Sequence, residues 1–500
     1  MGLPGPGFAT TPTGLGMWQP WISPNHLQPY EGPPLGPNSR TGKAVTLYPW
    51  TLPTHSTTYS VEGIKDAGKS TFFKTYIPRL LGYQAWDAND QLTPMRARIN
   101  SRKSEDGVAE FEALTRGLYS PVYNLGVRGN INLFGLFSDE ADLIEIATNI
   151  AQEVNGGRLG SDVTTAIMVA IDKMIQERPY GPYSEGILEA KLRRLTVQDF
   201  DDFNLNYASR VYSELKESTL RNPALPDQIE LSNMTLTAGE DDLRAAKKAA
   251  DLFGILIRGD FGRIFGGGNS LFDVLSEQVV TLSWDNVPIK AMPILEAVFM
   301  KAEANAAINE KRFLKIGDDP KKWLDLDLIV PHVIASDEEA SATSLFHLRM
   351  EAFNQNTSRK SRTARFRALQ YYTQVTKAGD VDTEMRNLAD QVDRGVGARI
   401  LFRQPNDKVF LDRYRELGMA EPDVQQLPHL RQGQAMLWIE HKPPTYFNLV
   451  VTEAEQEYIG TNIQKLRMSK FLPMSENPEL LERASRLGLD KEALTSSQAQ

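Results

Sequence analysis

The apolar positions of this chain follow two different periods. Ala44–Tyr48 and Thr57–Val61 are short runs rich in β-branched and aromatic residues, which predict strands, and a helix is predicted from Ser70 to Leu81. Tyr83–Asp87 reads as a short strand ending on an acid. Over residues 138–260 the period becomes helical. Leu143, Ile146, Ala147, Ile150 and Val154 share one face of a helix, and Val163, Ile167, Ile171 and Met174 share another. Acids between Asp139 and Glu145 suit a helix N-terminus, and Glu240–Ile257 is a further amphipathic run. Strand-like runs are scarce here, so residues 105–270 read as an all-α insertion. Strands return at Val279–Trp284, followed by a helix over Pro293–Asn309 and a near-continuous apolar run, Leu326–Ala335. Phe366–Thr373 and Ala398–Phe402 read as strands, and Gln434–Glu440 with Thr445–Val451 as a hairpin across Lys442-Pro443-Pro444. Apolar strands alternating with helices predict a parallel sheet covered on both faces. The expected class is therefore α/β, with a largely parallel sheet built from residues 41–104 and 271–455 and an inserted all-α domain. Residues 1–40, rich in Gly and Pro around Trp18, Trp21 and Tyr30, read as an irregular arm, and 456–500 as a C-terminal helix and polar tail.

Composition narrows the chemistry. The 500 residues include no cysteine, which excludes disulfides, thiolate metal sites and a cysteine nucleophile. Lys and Arg total 55 against 64 Asp and Glu, a net charge of −9, so a surface that coats nucleic acid throughout is a poor expectation; a local basic channel stays open. No apolar run reaches transmembrane length, and the N-terminal stretch has the pattern of neither a signal peptide nor an anchor. The six histidines are scattered without a metal-binding spacing, and His332 reads as a core residue. Gly266-Gly267-Gly268 reads as a turn.

The strongest chemical signal is Gly63–Ser70, which fits G-x-x-x-x-G-K-[ST] between a predicted strand and a predicted helix. Glycines let the backbone wrap a phosphate chain, and its N–H groups and the helix N-terminus face the oxygens. Gly63, Ala67, Gly68, Lys69, Ser70 and Thr71 are the expected nucleotide-binding residues. Lys69 brings positive charge to the β and γ phosphates, and Ser70 offers a hydroxyl to Mg²⁺. The apolar run ending at Asp337-Glu338-Glu339 suits a Walker B strand. Asp337 would then serve the Mg²⁺ shell and Glu338 the attacking water; the same acids would also suit a solvated helix start. Pro331 within that run disturbs its register as a central strand. Gln374, at the end of another predicted strand, is placed to sense the γ phosphate, or else lies on a surface turn. Arg359, Lys360, Arg362, Arg365 and Arg367 form a basic cluster. It reads as the source of an arginine acting in trans (Arg359 or Arg362), as a phosphate grip, or as a solvated face.

Taken in order, these elements resemble the HerA–FtsK superfamily of ring ATPases, and most of all the VirB/TraC-type ATPases of conjugation and type IV secretion. The likeness runs over about residues 35–455. Gly36-Pro37-Asn38, Thr41–Val45, the P-loop and Trp86-Asp87 carry it first, then Gly262–Phe272, Val279–Asn286, Asp337-Glu338 and Thr373-Gln374. Leu427, Leu430 and Gly433 resemble the family's last block. The resemblance implies a RecA-like domain, a hexameric assembly with ATP and Mg²⁺ at subunit interfaces, and roles for Lys69, Ser70, Asp337, Glu338 and Gln374 at their matching positions. It implies a motor subunit at the cytoplasmic face of a membrane, working with membrane-embedded secretion components. The alternatives are a DNA translocase or coupling protein, and a nucleotide-binding scaffold that does not hydrolyse. Three departures stand out. Asp66 and Ala67 replace small glycine and serine residues. A double acid, Glu338-Glu339, blurs the catalytic register. The sizeable N-terminal domain of larger members has no counterpart before the P-loop; either it is a separate chain, and then a partner, or this sequence is a fragment.

Overall fold

The computed structural model describes residues 32–82, 85–86, 92–93, 95–102, 104–105, 108–118, 120–125, 132–179, 181, 183–206, 209, 238–258, 260–265, 279–314, 331–337, 344–369, 384–439 and 442–459. The first elements are β1 (Pro34–Pro37) and β2 (Ala44–Thr46), an antiparallel pair of its own. β3 (Thr58–Glu62) runs into the loop 63–68 and then α1 (Lys69–Gly82). β4 (Ala85–Trp86) pairs with β5 (Leu92–Thr93), β6 (Arg96–Ser101) follows, and β7 (Ser104–Glu105) pairs with β8 (Val108–Ala109). α2 (Glu112–Gly117) leads to β9 (Val122–Asn124). A helical stretch follows that includes α3 (Glu140–Asn155), α4 (Ser161–Glu177), α5 (Glu185–Leu192), a helical run over residues 197–206, and α6 (Glu240–Arg258). The α/β alternation resumes with β10 (Val279–Ser283), α7 (Met292–Leu314), β11 (His332–Ser336), α8 (Leu345–Thr357), β12 (Thr363–Leu369), α9 (Glu384–Arg394) and β13 (Ala398–Leu401). It closes with α10 (Lys408–Glu416), α11 (Glu421–Gln426), the hairpin β14 (Gln434–Ile439) and β15 (Thr445–Asn448), and α12 (Glu453–Ile459).

Nine strands form one sheet in the order β15-β14-β13-β3-β12-β11-β6-β10-β9. Every neighbouring pair from β13 to β9 is parallel; β14 alone runs against them, and β15, antiparallel to β14, turns back to their direction. The P-loop strand β3 and the acid-bearing strand β11 are separated by one strand, β12. All three point their carboxyl ends to the same edge.

The sheet's two faces differ in chemistry. Tyr59 and Val61 of β3, Ala97 and Ile99 of β6, Val333 and Ala335 of β11, and Ala364, Phe366 and Ala368 of β12 pack in one apolar cluster under α1. Phe72 and Tyr76 of α1 stack at 5.1 Å, Tyr76 meets Phe366 at 5.3 Å, and Phe366 stacks on Tyr59 at 4.8 Å. Such pairs add about 0.5–1.5 kcal/mol each beyond burial. The alternate positions, with side chains on the other face because strand period is two, include Arg98 and Asn100 of β6, Arg365 and Arg367 of β12, and Glu62 of β3. They are buried as well. Helices α7 and α8 bring Glu296, Glu303 and Glu351 to meet the arginines.

The helical unit packs as its periodicity requires. Leu143, Ile146, Ala147 and Ile150 of α3 and Val163, Ile167, Ile171 and Met174 of α4 are all buried in one cluster with α6. Asp139 caps α3 by accepting from Ala141 N–H and Asp142 N–H, and Gly156 ends it in the left-handed region at φ 71°. Lys301 of α7 reaches Asp142 at 3.2 Å and Glu145 at 2.9 Å, joining this unit to the sheet's helices.

Several expectations need correction. Pro34–Pro37, inside the stretch read as an irregular arm, form a strand held to β2. Ala85–Trp86 lie in a small hairpin and not in the main sheet, where the next strand after β3 in sequence is β6, unread because arginines occupy its alternate positions. Val122–Asn124, within the stretch read as all-α, form an edge strand of the main sheet, so residue 105 is too early a boundary for the helical unit. Pro331 precedes β11 instead of interrupting it, and its carbonyl accepts from Arg96 N–H at 2.9 Å. Residues 1–31, Asp87, Gly266–Gly268, Leu326–Val330 and the tail from residue 460 lie outside the described residues.

Candidate nucleotide-binding site

The loop 63–68 leaves the carboxyl end of β3 and turns into α1 under tight constraints. A Cβ on Gly63 would meet the Cβ of Phe402 at 2.8 Å, so any side chain there must displace packed atoms. Gly68 holds φ 119°, a conformation that disfavours side chains. Asp66 adopts φ 61°; Asp is among the few non-glycine residues that accept this region. Ala67 is buried in the apolar cluster, so its methyl is part of the loop's foundation. The loop is pinned on both sides. Ile64 N–H donates to the Arg403 carbonyl at 2.9 Å, and Gly433 N–H to the Ala67 carbonyl at 3.3 Å. Phe72 N–H donates to the Gly68 carbonyl at 2.9 Å as α1 begins.

Lys69 is 6% exposed and turns its ammonium back over the loop, donating to the carbonyls of Gly63 at 2.7 Å and Ile64 at 2.9 Å. From there it can exchange carbonyl oxygens for phosphate oxygens. Ser70 Oγ lies 3.5 Å from Asp337 Oδ2. This is the juxtaposition that the sequence motifs require, made between residues 267 positions apart. One hydroxyl and one buried carboxylate are oxygen donors of the kind a hard cation takes. Mg²⁺ in phosphate sites is held by one or two protein oxygens and completes its octahedron with phosphate and water. The residues present fit that ion. No group of three or more acids or histidines arranged to hold a metal ion lies among the described residues.

Behind the loop is a buried polar network that sequence reasoning missed. Glu62, the residue before Gly63, accepts from Ser60 Oγ at 2.5 Å, Arg399 Nη1 at 2.8 Å and the Tyr414 hydroxyl at 2.8 Å. Arg399 also donates to Asp393 at 2.9 Å. Burial, with the Glu62 carboxylate adding to it, holds the Tyr414 hydroxyl well above its ordinary pKa. The signal was present in the sequence as an acid closing an otherwise uncharged strand.

The remaining candidates divide. Thr71 follows Ser70 on the first turn of α1. Glu338 and Gln374 lie outside the described residues. Arg359 and Arg362 precede β12 and so sit at its amino end, whereas the P-loop is at the carboxyl edge. A seven-residue strand, roughly 20 Å, separates the two edges. There Arg359 donates to the Thr54 carbonyl at 2.6 Å, and Arg362, at φ 51°, lies over the Trp50 ring. These arginines do not meet the P-loop of their own chain. Arg365 and Arg367 are corrected outright: they are buried ion-pair partners of Glu296 and Glu351, neither a solvated face nor a phosphate grip.

A P-loop, an acid at the end of the next strand but one in the sheet, and a largely parallel sheet define a RecA-like P-loop NTPase fold of α/β class. No family model matches the sequence, and no curated protein does. Among solved structures, VirB4 of Thermoanaerobacter pseudethanolicus is similar over 86% of this chain and 99% of that one, with a TM-score of 0.58 at 13% identity. The plasmid coupling protein TrwB in complex with ADP and Mg²⁺ matches more loosely, with a TM-score of 0.48 at 12% identity over 79% of this chain and 86% of that one. The likeness to VirB4 is one of fold, and it falls where the sequence resemblance to VirB/TraC-type ATPases pointed. No helix among the described residues is long and apolar enough to cross a membrane.

Proposed function

We propose that this chain is an ATP-hydrolysing motor subunit of a type IV secretion or conjugation apparatus, converting ATP to ADP and phosphate to power assembly or substrate transfer. The observation that carries the reading is the approach of Ser70 Oγ to Asp337 Oδ2 beside the P-loop. In this reading Gly63–Thr71 wrap the phosphates and Lys69 neutralises the β and γ oxygens. Ser70 and Asp337 hold Mg²⁺, which when bound supplies charge stabilisation to the transferring phosphoryl group. Glu338 orients the attacking water and Gln374 reads the γ phosphate. Arg359 or Arg362 completes the site of a neighbouring subunit; both stand at the edge of the sheet turned from the chain's own P-loop, Arg359 exposed there and Arg362 buried over Trp50. In this reading the subunits assemble as a hexamer. It would act at the cytoplasmic face of the membrane with membrane-embedded components.

The test is ATP hydrolysis against protein concentration, with and without DNA, beside Lys69→Ala and Glu338→Gln. A rate per subunit that rises steeply with concentration and ignores DNA supports the secretion motor. Lys69→Ala should cut turnover by on the order of 10²-fold or more, since it removes a charge from the transition state. Unchanged turnover in that variant defeats the reading. Strong, salt-sensitive stimulation by DNA favours the translocase or coupling protein instead. Tight ATP binding without phosphate release favours the non-hydrolysing scaffold.

A further inference from the structure

We propose that Asn100 and Glu296 are positioning residues that fix the Asp337 carboxylate for Mg²⁺; the inference rests on the nucleotide-site reading above. Asp337 is the first residue after β11, where a strand end is free to drift. It is held by Asn100 in two ways. The Asp337 N–H donates to the Asn100 carbonyl at 3.1 Å, extending the β11–β6 ladder by one residue beyond the Ser336–Asn100 pair. The Asn100 side chain then donates from Nδ2 to Ser336 Oγ at 3.0 Å, clamping the residue just before the acid.

The orientation of that amide is itself dictated from behind. Nδ2 also donates to both oxygens of Glu296, at 3.2 Å each, while Asn100 Oδ1 is buried with no hydrogen-bond partner among the described residues. The carboxylate is therefore what tells the amide which way to face. Glu296 is completely buried on the first turns of α7 and gathers further cations: Arg365 Nη2 at 2.9 Å, Arg98 Nη2 at 3.5 Å and Arg102 Nη2 at 3.6 Å. Three guanidinium groups and an amide fix one carboxylate in place. It fixes the amide, and the amide fixes the strand end that carries Asp337. Groups that orient a metal-binding side chain from behind are typically worth about 10–100-fold in metal affinity.

The experiment titrates Mg²⁺ against binding of a fluorescent ATP analogue, mant-ATP, to the full chain, with metal-free binding measured alongside. The variants are Asn100→Ala, Ser336→Ala and Glu296→Gln. The last keeps volume but lets the Asn100 amide flip, since one acceptor becomes a donor. Each should raise the Mg²⁺ concentration for half-maximal effect by on the order of tenfold, while metal-free mant-ATP binding stays within about twofold. General damage to the fold would move both. Should Glu296→Gln fail to fold, Ser336→Ala, which deletes a single hydroxyl, still decides the matter. Wild-type protein with Mg²⁺-dependent binding, and variants with an unchanged Mg²⁺ half-point, overturn the positioning role alone. Wild-type protein whose mant-ATP binding ignores Mg²⁺ overturns the nucleotide-site reading and the positioning role with it.

Discussion

The two faces of the central sheet are equally buried and are held by opposite physics. Under α1 the face is hydrocarbon and aromatic ring: Tyr59, Phe366, Phe72 and Tyr76 in mutual contact. Under α7 and α8 it is ionic: Arg98, Arg365 and Arg367 against Glu296, Glu303 and Glu351. Apolar burial is non-directional and tolerates small changes of shape. Buried ion pairs recover their desolvation cost only when every partner is placed well. The ionic face adds little stability over an apolar one, yet it constrains geometry far more sharply. Asp337 is tied to that constrained face through Asn100, whereas the P-loop helix rests on the tolerant one.

The largest effect that tests this contrast is removal of the hub. Glu296→Ala strands Arg98, Arg102 and Arg365 without their shared carboxylate and should cost about 3–5 kcal/mol in urea denaturation. A loss below about 1 kcal/mol, the range of an exposed pair, would show that the ionic face is loosely coupled.

A second effect comes from pH. Burial raises Glu303 to about 7, with neighbouring Glu296 adding to the rise and Arg98 and Arg365 opposing it. His332, also near Glu303, is driven down to about 3 by burial and by Arg98 and Arg96, and so stays neutral through the relevant window. A carboxyl whose folded pKa exceeds its unfolded value of 4.5 binds its proton more tightly when folded. Its stabilising share is complete below about pH 4.5 and is lost as pH rises to about 7, on the order of 3 kcal/mol in all. Glu185, in the helical unit, is also raised to about 7 by burial and slopes the same way. The decisive quantity is thus the difference between wild type and Glu303→Gln, whose stability should fall less between pH 5 and 7. Parallel curves would sink the prediction.

The same contrast explains what could be read from the sequence. The P-loop is contiguous, and its chemistry dictates residue type at fixed spacing, so Gly63–Ser70 and the Asp337 pairing were legible before any coordinates. The helical unit was legible because its cores follow one period. The ionic face was not. An arginine at every second position looks like a solvated strand or a basic patch, and the carboxylate that neutralises Arg98 comes from 198 residues away. Periodicity reports which residues share a face; it does not report that a distant helix will supply the opposite charge. For that reason the sequence shows no strand at β6, and Arg365 and Arg367 read as part of a basic cluster with no sign of buried partners. Glu62 escaped for a related cause, since Arg399 and Tyr414 reach it from strands and helices far along the chain.

A smaller effect probes that Glu62 network. Tyr414→Phe removes one donor, at 2.8 Å, from a buried carboxylate that keeps Ser60 and Arg399. Hydrogen bonds to charged groups are worth about 1.5–3 kcal/mol, so a loss near 2 kcal/mol is expected by urea denaturation. Stability within about 0.5 kcal/mol of wild type would mean that the hydroxyl is dispensable and that Arg399 alone holds the acid.

The smallest effect belongs to the apolar face, and it is the one that separates the two designs. Phe366 touches Tyr59, Phe72 and Tyr76 at once, with centroids at 4.8, 6.3 and 5.3 Å. Phe366→Leu removes the ring contacts but keeps most of the buried hydrocarbon, and the neighbours are free to close on it because none of those contacts is directional. The cost should be about 1.5 kcal/mol, the low end for three ring contacts at about 0.5 kcal/mol each, because the neighbours can close on the smaller side chain. Mg²⁺-dependent mant-ATP binding should be unmoved, since the Asn100 and Glu296 support behind Asp337 lies on the other face. Phe366→Leu and Ser336→Ala each remove only a few atoms from the same sheet. If the apolar change shifts the Mg²⁺ half-point as far as the polar one, the ionic face has no special claim on Asp337, and the division of labour between the two faces fails.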